Sequence, residues 1–337
     1  MMKLLQISLF LSVCLLFSER SSAQIEKYNP LEKSDSRAQQ PVEITMQDQK
    51  RKRDIPLRIF LPDQMQAAPV ILFSHGLGGS RDGCSYLGKH WSNRGYVVVF
   101  LQHAGSDEAV WKTVDRRERL KALRTAANVQ NTLDRYQDVS AVLNQLASWN
   151  ADAKHQFHKK IDMQRIGMSG HSYGAVTTQG VSGQSLPLVG KRYTDPRIKA
   201  AVMFSPSYRG RLDRKQSFGQ VSIPWMTLTG TKDKSVINDT TVEDRRKVYR
   251  ALPDSIDKYE LVLSGAQHSA FTDGPERLGK PRRNPQHHPR ILAVTTAFWD
   301  TYLHQNRDAG KWLQGKQCRE LLDSEDQWQT QIPTKSE

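Results

Sequence analysis

Apolar residues fall along this chain in two rhythms, and the alternation between them predicts its architecture. Short runs dense in apolar residues occur at Val70-Ile71-Leu72-Phe73, Tyr96-Val97-Val98-Val99-Phe100-Leu101, Met163 to Met168, Ile198 to Phe204, Pro224 to Thr229 and Tyr259 to Leu263. Runs of this length, rich in β-branched and aromatic residues, read as strands buried on both faces. Between the second and third runs, Leu133, Tyr136, Val139, Leu143 and Leu146 return at helical spacing and form one apolar stripe. Residues 288–306, with Ile291, Val294, Ala297 and Phe298, predict a closing helix. Strands that alternate with helices imply the α/β class: a mostly parallel central sheet with helices on both faces. Ahead of the first run, Val42 to Met46 and Ile55 to Leu61 flank Lys50-Arg51-Lys52-Arg53 and predict a hairpin with a basic crown. The domain so outlined covers residues 42–306 and contains no internal repeat.

Four of the buried runs end in residues that carry chemistry. Met163–Met168 leads into Gly170-His171-Ser172-Tyr173-Gly174, and Ala175-Val176-Thr177-Thr178 then opens a helix. A serine between glycines at a strand-to-helix junction sits on a sharp, strained turn, with its hydroxyl presented at the top of the sheet. The bare pattern arises by chance in roughly one chain in ten of this length, so its partners must decide. A serine hydroxyl is a weak nucleophile until a histidine takes its proton, and the histidine needs a carboxylate to fix its tautomer. Gly230-Thr231-Lys232-Asp233 follows the fifth run, and Ser264-Gly265-Ala266-Gln267-His268 follows the sixth. Upstream, Ser74-His75-Gly76-Leu77-Gly78-Gly79 is a glycine-rich turn whose backbone N–H groups can face an oxyanion. Asp239 and Asp257 compete with Asp233 for the acid's place, and a plain turn role within Lys232-Asp233-Lys234 is the bland alternative.

With these motifs in the order Ser, Asp, His, the chain resembles the α/β-hydrolase superfamily over roughly residues 42–306. Phe73 to Gly79 together with Gly170 to Gly174 resembles its secreted esterases: platelet-activating-factor acetylhydrolases, cutinases and dienelactone-hydrolase relatives. The resemblance implies Ser172 as nucleophile, Asp233 as orienting acid and His268 as general base. It also implies an oxyanion hole made by the backbone N–H groups of Leu77 and Tyr173. Ala175 stands where many relatives have a further glycine. Gly230-Thr231-Lys232-Asp233 fits the cutinase and dienelactone patterns better than the acetylhydrolase one. Serine at 172 argues against the dehalogenase and epoxide-hydrolase branches, which the resemblance associates with an aspartate there. The implied function is hydrolysis of carboxylic esters through an acyl-enzyme. An amide or peptide hydrolase, or an acyl transferase, uses the same scaffold, and an inactive hydrolase fold serving as a binding protein is the reading of another class.

Longer loops at 105–115, 205–220 and 270–284 lie at the carboxyl edge of the sheet, where such sheets bind ligands. They make Trp111, Ser207, Tyr208 and Phe271 candidate pocket walls, together with His103, which follows the second run at the same edge. No long apolar insertion resembles a lid, so an open site suited to small or polymeric esters is expected. His75 is expected to brace its turn and His171 to pack locally. His287-His288 reads as part of a solvated loop. No H-E-x-x-H or paired C-x-x-C motif occurs, and no metal or other cofactor is expected.

Charge adds a surface property. Lys and Arg number 49 against 35 Asp and Glu, for a formal net charge of +14. The basic groups gather in 50–53, 116–124 and 280–290, which would favour weak association with anionic surfaces. No nucleic-acid module accompanies them, so nucleic acid is not an expected partner and a solvated face is the simpler reading. Residues 1–23 read as an export signal: Lys3, a largely apolar stretch from Leu4 to Phe17, then Ser21-Ser22-Ala23 with cleavage after Ala23. The rival reading, a lipoprotein anchor at Cys14, has a poorly fitting Val13 before the cysteine. A secreted or periplasmic protein is expected, with a flexible lead-in at 24–41 and a tail at 307–337. Cys84 and Cys318 either bridge in that oxidising compartment or remain two thiols.

Overall fold

The computed structural model of the chain describes residues 27–32, 40–63, 66–208, 212–235, 237–273 and 284–334. The export signal, with Cys14 and Ala23, lies outside these residues, as do most of the lead-in and most of the 270–284 loop.

The described strands are β1 (Val42–Asp48), β2 (Arg53–Phe60), β3 (Ala68–Ser74), β4 (Val97–Leu101), β5 (Ile161–His171), β6 (Ile198–Phe204), β7 (Trp225–Lys232), β8 (Lys258–Gln267) and β9 (Gln327–Gln331). They form a single sheet in the order β1-β2-β4-β3-β5-β6-β7-β8-β9. Pairing is parallel from β4 through β8 and antiparallel at the two ends. The mostly parallel sheet expected from the apolar runs is therefore present. Chain direction across the sheet reverses between β3 and β5, and this is the kind of switch point where a crevice opens.

The helices are α1 (Ser85–Asn93), α2 (Ala109–Lys112), α3 (Arg119–Ala126), α4 (Val129–Ala151), α5 (Tyr173–Val181), α6 (Arg214–Phe218), α7 (Val242–Ala251), α8 (His287–Tyr302), α9 (Arg307–Gln314) and α10 (Lys316–Leu321). Alternation along each strand feeds two layers. Ile71, Phe73, Val98 and Phe100 pack with Trp91 of α1 and Ile291, Val294 and Phe298 of α8. Val70, Leu72, Val97 and Val99 pack on the other face with Tyr136, Val139, Leu143 and Leu146 of α4. Both faces of the central parallel strands are thus covered by apolar side chains, which leaves their carboxyl ends most open for chemistry.

Three expectations change, and the alternative left open for the cysteines is narrowed. The hairpin forms, but its crown is only half solvated. Arg51 Nη2 and Arg53 Nε reach Asp138 Oδ1 of α4 at 2.7 and 2.9 Å, while Lys50 and Lys52 stay exposed. A buried carboxylate needs such partners, and the turn supplies them. Residues 27–32 of the expected flexible lead-in are fixed: Tyr28 donates to Asp300 Oδ2 at 2.7 Å, and Pro30 O bonds the His90 ring. The expected tail is part of the domain, because β9 extends the sheet beyond β8 and Trp312, Leu313, Cys318 and Trp328 enter the core. Cys84 and Cys318 are not joined to each other. Both thiols are buried, with Cys84 Sγ against Phe271 O at 3.3 Å and the Cys318 thiol pushed up to about 12 by burial.

Candidate active site

Ser172 occupies the turn between β5 and α5 with φ 57° and ψ −112°, a region that L-residues rarely adopt. Crowding around that turn explains both glycines. A Cβ at Gly170 would lie 2.3 Å from Gly174 O, and one at Gly174 would lie 1.8 Å from Ser74 O. Glycine there lets the start of α5 press directly on the end of β3. The strain is held in place by the Ser172 N–H, which donates to Phe204 O at 2.9 Å.

His268, just past β8, lies between the other two groups. Its Nε2 is 2.9 Å from Ser172 Oγ and its Nδ1 is 2.7 Å from Asp233 Oδ1. An ionised carboxylate only accepts, so Nδ1 carries the proton and Nε2 is left to accept from the Ser172 hydroxyl. Asp233 is fully buried, whereas the His268 side chain keeps 25% of its exposure. All of the carboxylate's acceptor directions are used. Oδ1 also faces Arg245 Nε at 3.1 Å, and Oδ2 accepts from Ser205 Oγ at 2.6 Å and Thr229 Oγ1 at 2.9 Å. Burial alone would raise this carboxyl. The His268 hydrogen bond, the charges of Arg245 and His268 and the Ser205 bond outweigh it and hold Asp233 at about 2. Asp257 binds the Tyr302 hydroxyl at 2.7 Å instead, and Asp239 is exposed.

Arg245 and Ser205 are site residues that the motif reading missed. Arg245 is 2% exposed on α7 and also donates to Asp233 O at 2.9 Å and Ser205 O at 2.8 Å, with Nη2 3.2 Å from His268 Nδ1. The one signal was its spacing, three and four positions before the buried Val248 and Tyr249. Ser205 has φ 56°, a second strained residue at the end of the neighbouring strand.

The two amides expected to hold an oxyanion flank the switch point. Tyr173 opens α5, so its N–H is a first-turn donor with no acceptor inside the helix. Leu77 lies at the tip of the turn after β3, which is closed by Gly79 N to Gly76 O at 3.0 Å and tied down by Gly78 N to Ser106 O at 2.9 Å. The Trp111 indole N–H adds a bond to Gly78 O at 2.7 Å.

The expected pocket walls divide. His103 and Phe271 are fully buried and line no open pocket. His103 binds Ser74 and Asp138, and Phe271 packs on Phe204 and His171. Each follows a strand at the right edge, but its side chain turns inward. Trp111, Ser207 and Tyr208 stay half-buried, with the Tyr208 hydroxyl donating to Leu212 O at 2.9 Å. A groove of about 760 Å³ beside α4, lined by residues including Gly105, Val110, Ala126 and Asn128, contains none of Ser172, Asp233 and His268. His287 and His288 are not in a solvated loop. They open α8 and bond Ser264 O and Ala270 O, and His288 stacks on Tyr86 at 3.8 Å. Among the described residues no group of His, Cys, Asp and Glu is arranged to hold a metal ion.

Three buried histidines around the site stay neutral. Burial first, then the Arg135 charge, lowers His103 to about 4 and holds His75 well below its ordinary value. Burial and then the His268 charge lower His171 to about 3. The unfolded chain protonates each near pH 6.5 and the folded chain does not, so the unfolded state binds more protons and stability falls as pH falls. The loss begins near pH 6.5 and runs to about 4 for His103 and about 3 for His171. Urea melts at pH 7, 6 and 5 are expected to show a drop that steepens below pH 6.5, on the order of 1 kcal/mol per unit for each histidine. A midpoint unchanged from pH 7 to 5 would refute the neutral assignment.

A family profile described as "PETase: PET hydrolase-like" matches residues 119–282. Among curated proteins, "Cutinase est2" of Thermobifida alba is 23% identical over 63% of this chain and 56% of its own length. "Cutinase 2" of Thermobifida cellulosilytica is 24% identical over 66% of this chain and 68% of its own. "Cutinase cut1" of Thermobifida fusca is 24% identical over 66% of this chain and 56% of its own. The chain thus spans little more than half the length of two of these relatives. The sheet order and these likenesses together show an α/β-hydrolase fold, similar to that of the PET hydrolase-like and cutinase esterases.

Proposed function

We propose that this protein is an exported serine hydrolase that cleaves carboxylic esters through an acyl-enzyme. The observation that carries the reading is the single histidine that bonds Ser172 Oγ through one ring nitrogen and buried Asp233 through the other. Ser172 Oγ attacks the ester carbonyl as His268 Nε2 takes its proton, and Asp233 steadies the imidazolium. The Leu77 and Tyr173 amides hold the oxyanion, a donor of this kind contributing about 3–4 kcal/mol in comparable sites. His268 then returns the proton to the leaving alcohol. Water, activated by the same nitrogen, releases the acid and regenerates Ser172.

The partly exposed His268 side chain favours an open site for small or polymeric esters, in keeping with relatives named as cutinases and PET hydrolase-like proteins. Export rests on the amino-terminal signal. Among the described residues no helix is long and apolar enough to cross a membrane.

A fluorophosphonate probe should label Ser172 alone, and aryl esters of graded acyl length should release free acid. Labelling at another serine, with ester turnover intact when Ser172 is blocked, would overturn the assignment. Acyl transfer to an added alcohol in place of acid release would favour the transferase reading.

A further inference from the structure

Arg135 sits on the buried face of α4, one position before Tyr136, and is 0% exposed. A guanidinium in such a place is costly unless its donors are met. Its donors divide between two elements. On one side Nη2 reaches Ser74 Oγ at 3.0 Å and His75 O, and Nη1 reaches Ser106 Oγ at 2.9 Å. Ser74 and His75 lead into the Leu77 turn, and Ser106 O holds Gly78 N–H. On the other side Nε donates to Thr177 Oγ1 at 2.8 Å, and the guanidinium lies 4.6 Å from the centre of the Tyr173 ring. Thr177 Oγ1 in turn bonds Tyr173 O at 3.1 Å.

A second Ser-His-Asp array stands behind Arg135. Asp138 Oδ2 is 2.9 Å from His103 Nδ1, and His103 Nε2 is 2.9 Å from Ser74 Oγ. These are the residue types and atoms of Asp233, His268 and Ser172, but Ser74, His103 and Asp138 are all 0% exposed, so no substrate reaches them. Its polarity is fixed. Asp138 accepts from Nδ1–H, so Nε2 accepts the Ser74 hydroxyl proton, and Ser74 offers its lone pair to Arg135. The His103 backbone N–H bonds His75 Nε2 at 3.0 Å, and His75 Nδ1 donates to Gly76 O at 2.7 Å. Every link from α4 to the residue before Leu77 thus has one donor direction.

We propose that Arg135 is the positioning residue of the oxyanion hole, clamping the turn that bears the Leu77 amide to the helix that bears the Tyr173 amide, with the Asp138–His103–Ser74 array holding its fork in register. The inference rests on the esterase reading above. Oxyanion donors act only when about 2.7–3.1 Å from the developing charge, and a misplacement of about 1 Å costs on the order of 100-fold. The clamp therefore acts on the transition state and hardly at all on ester binding.

The test is Arg135→Lys in the full chain, which keeps the charge and loses the fork. We expect kcat to fall about 30- to 100-fold while KM changes less than about threefold. An alkylboronic acid should lose affinity by the same factor as kcat. Boron accepts an electron pair from Ser172 Oγ, the Ser172 hydroxyl proton passes to His268 Nε2, and a boron-bound oxygen enters the hole. Should the lysine variant fail to fold, Ser74→Ala combined with Thr177→Val removes one partner on each side, with about a tenfold fall in kcat expected. A folded variant with parental kcat and boronate affinity, or with a change in KM alone, would overturn the clamp. Absence of ester turnover in the parent protein would instead overturn the esterase reading together with the clamp.

Discussion

Ser172→Ala should leave a folded protein whose kcat for an aryl ester is about 10⁶-fold below the parent's. Alanine keeps the Cβ that already tolerates φ 57°, and the backbone bond from residue 172 to Phe204 O does not involve the side chain. Only the hydroxyl facing His268 Nε2 is lost. Steady-state kinetics beside a thermal melt separates the two effects, with an unchanged melting temperature expected. Retention of even one per cent of parental kcat would rule out Ser172 as the nucleophile.

Asp233→Asn should behave differently, because Arg245 shares the carboxylate. An amide nitrogen at the Oδ1 position would face the Arg245 Nε–H and His268 Nδ1–H, whereas at the Oδ2 position the Ser205 and Thr229 hydroxyls can rotate to accept it. The amide oxygen therefore stays toward His268 and the imidazole keeps its tautomer. What disappears is the negative charge, leaving Arg245 buried without a counter-ion beside an imidazole that must become positive. We expect kcat to drop by about 10³- to 10⁴-fold, and stability by about 3–5 kcal/mol, as for other broken buried pairs. Denaturant melts and kinetics on the same sample check both parts. If Asp233→Asn turned over within tenfold of the parent while Asp239→Asn did not, the acid would be misassigned.

Sequence made legible those parts of the site that are governed by local constraint. Gly170 and Gly174 are dictated by contacts a few residues away or across one strand, so a five-residue pattern found the strained serine turn. Asp233 and His268 were reachable because parallel strands deliver their following loops to one edge, and strand ends can be read from apolar runs. Charge pairing was not legible. Arg51, Arg53 and Asp138 look like ordinary surface charges until a hairpin and a helix some 85 positions apart meet. Arg135 and Arg245 have the same history, each a charged residue on a helix whose buried face the pattern marks only through its apolar members. His103 and Phe271 were placed at the right edge with the wrong side-chain direction, since the strand end fixes position and the neighbouring side chains fix rotamer. The β9 strand escaped because Gln327-Trp328-Gln329-Thr330-Gln331 has one strongly apolar member, as suits an edge.

That edge has a bearing on how molecules of this protein meet one another. A parallel sheet of Val, Ile, Leu and Phe would present a sticky open side if it stopped at β8, inviting strand exchange with a neighbour. The added β9 closes that side with glutamines, one of which, Gln329, reaches back to Glu260 of β8. At the far side β1 ends the sheet with a strand whose Glu43 pairs with Arg81. Both borders are thus antiparallel and carry polar side chains, while the strands that carry the candidate site loops remain inside them. The site loops owe their fixed spacing to inner strands that are paired on both sides, so a neighbouring molecule would meet only the border strands.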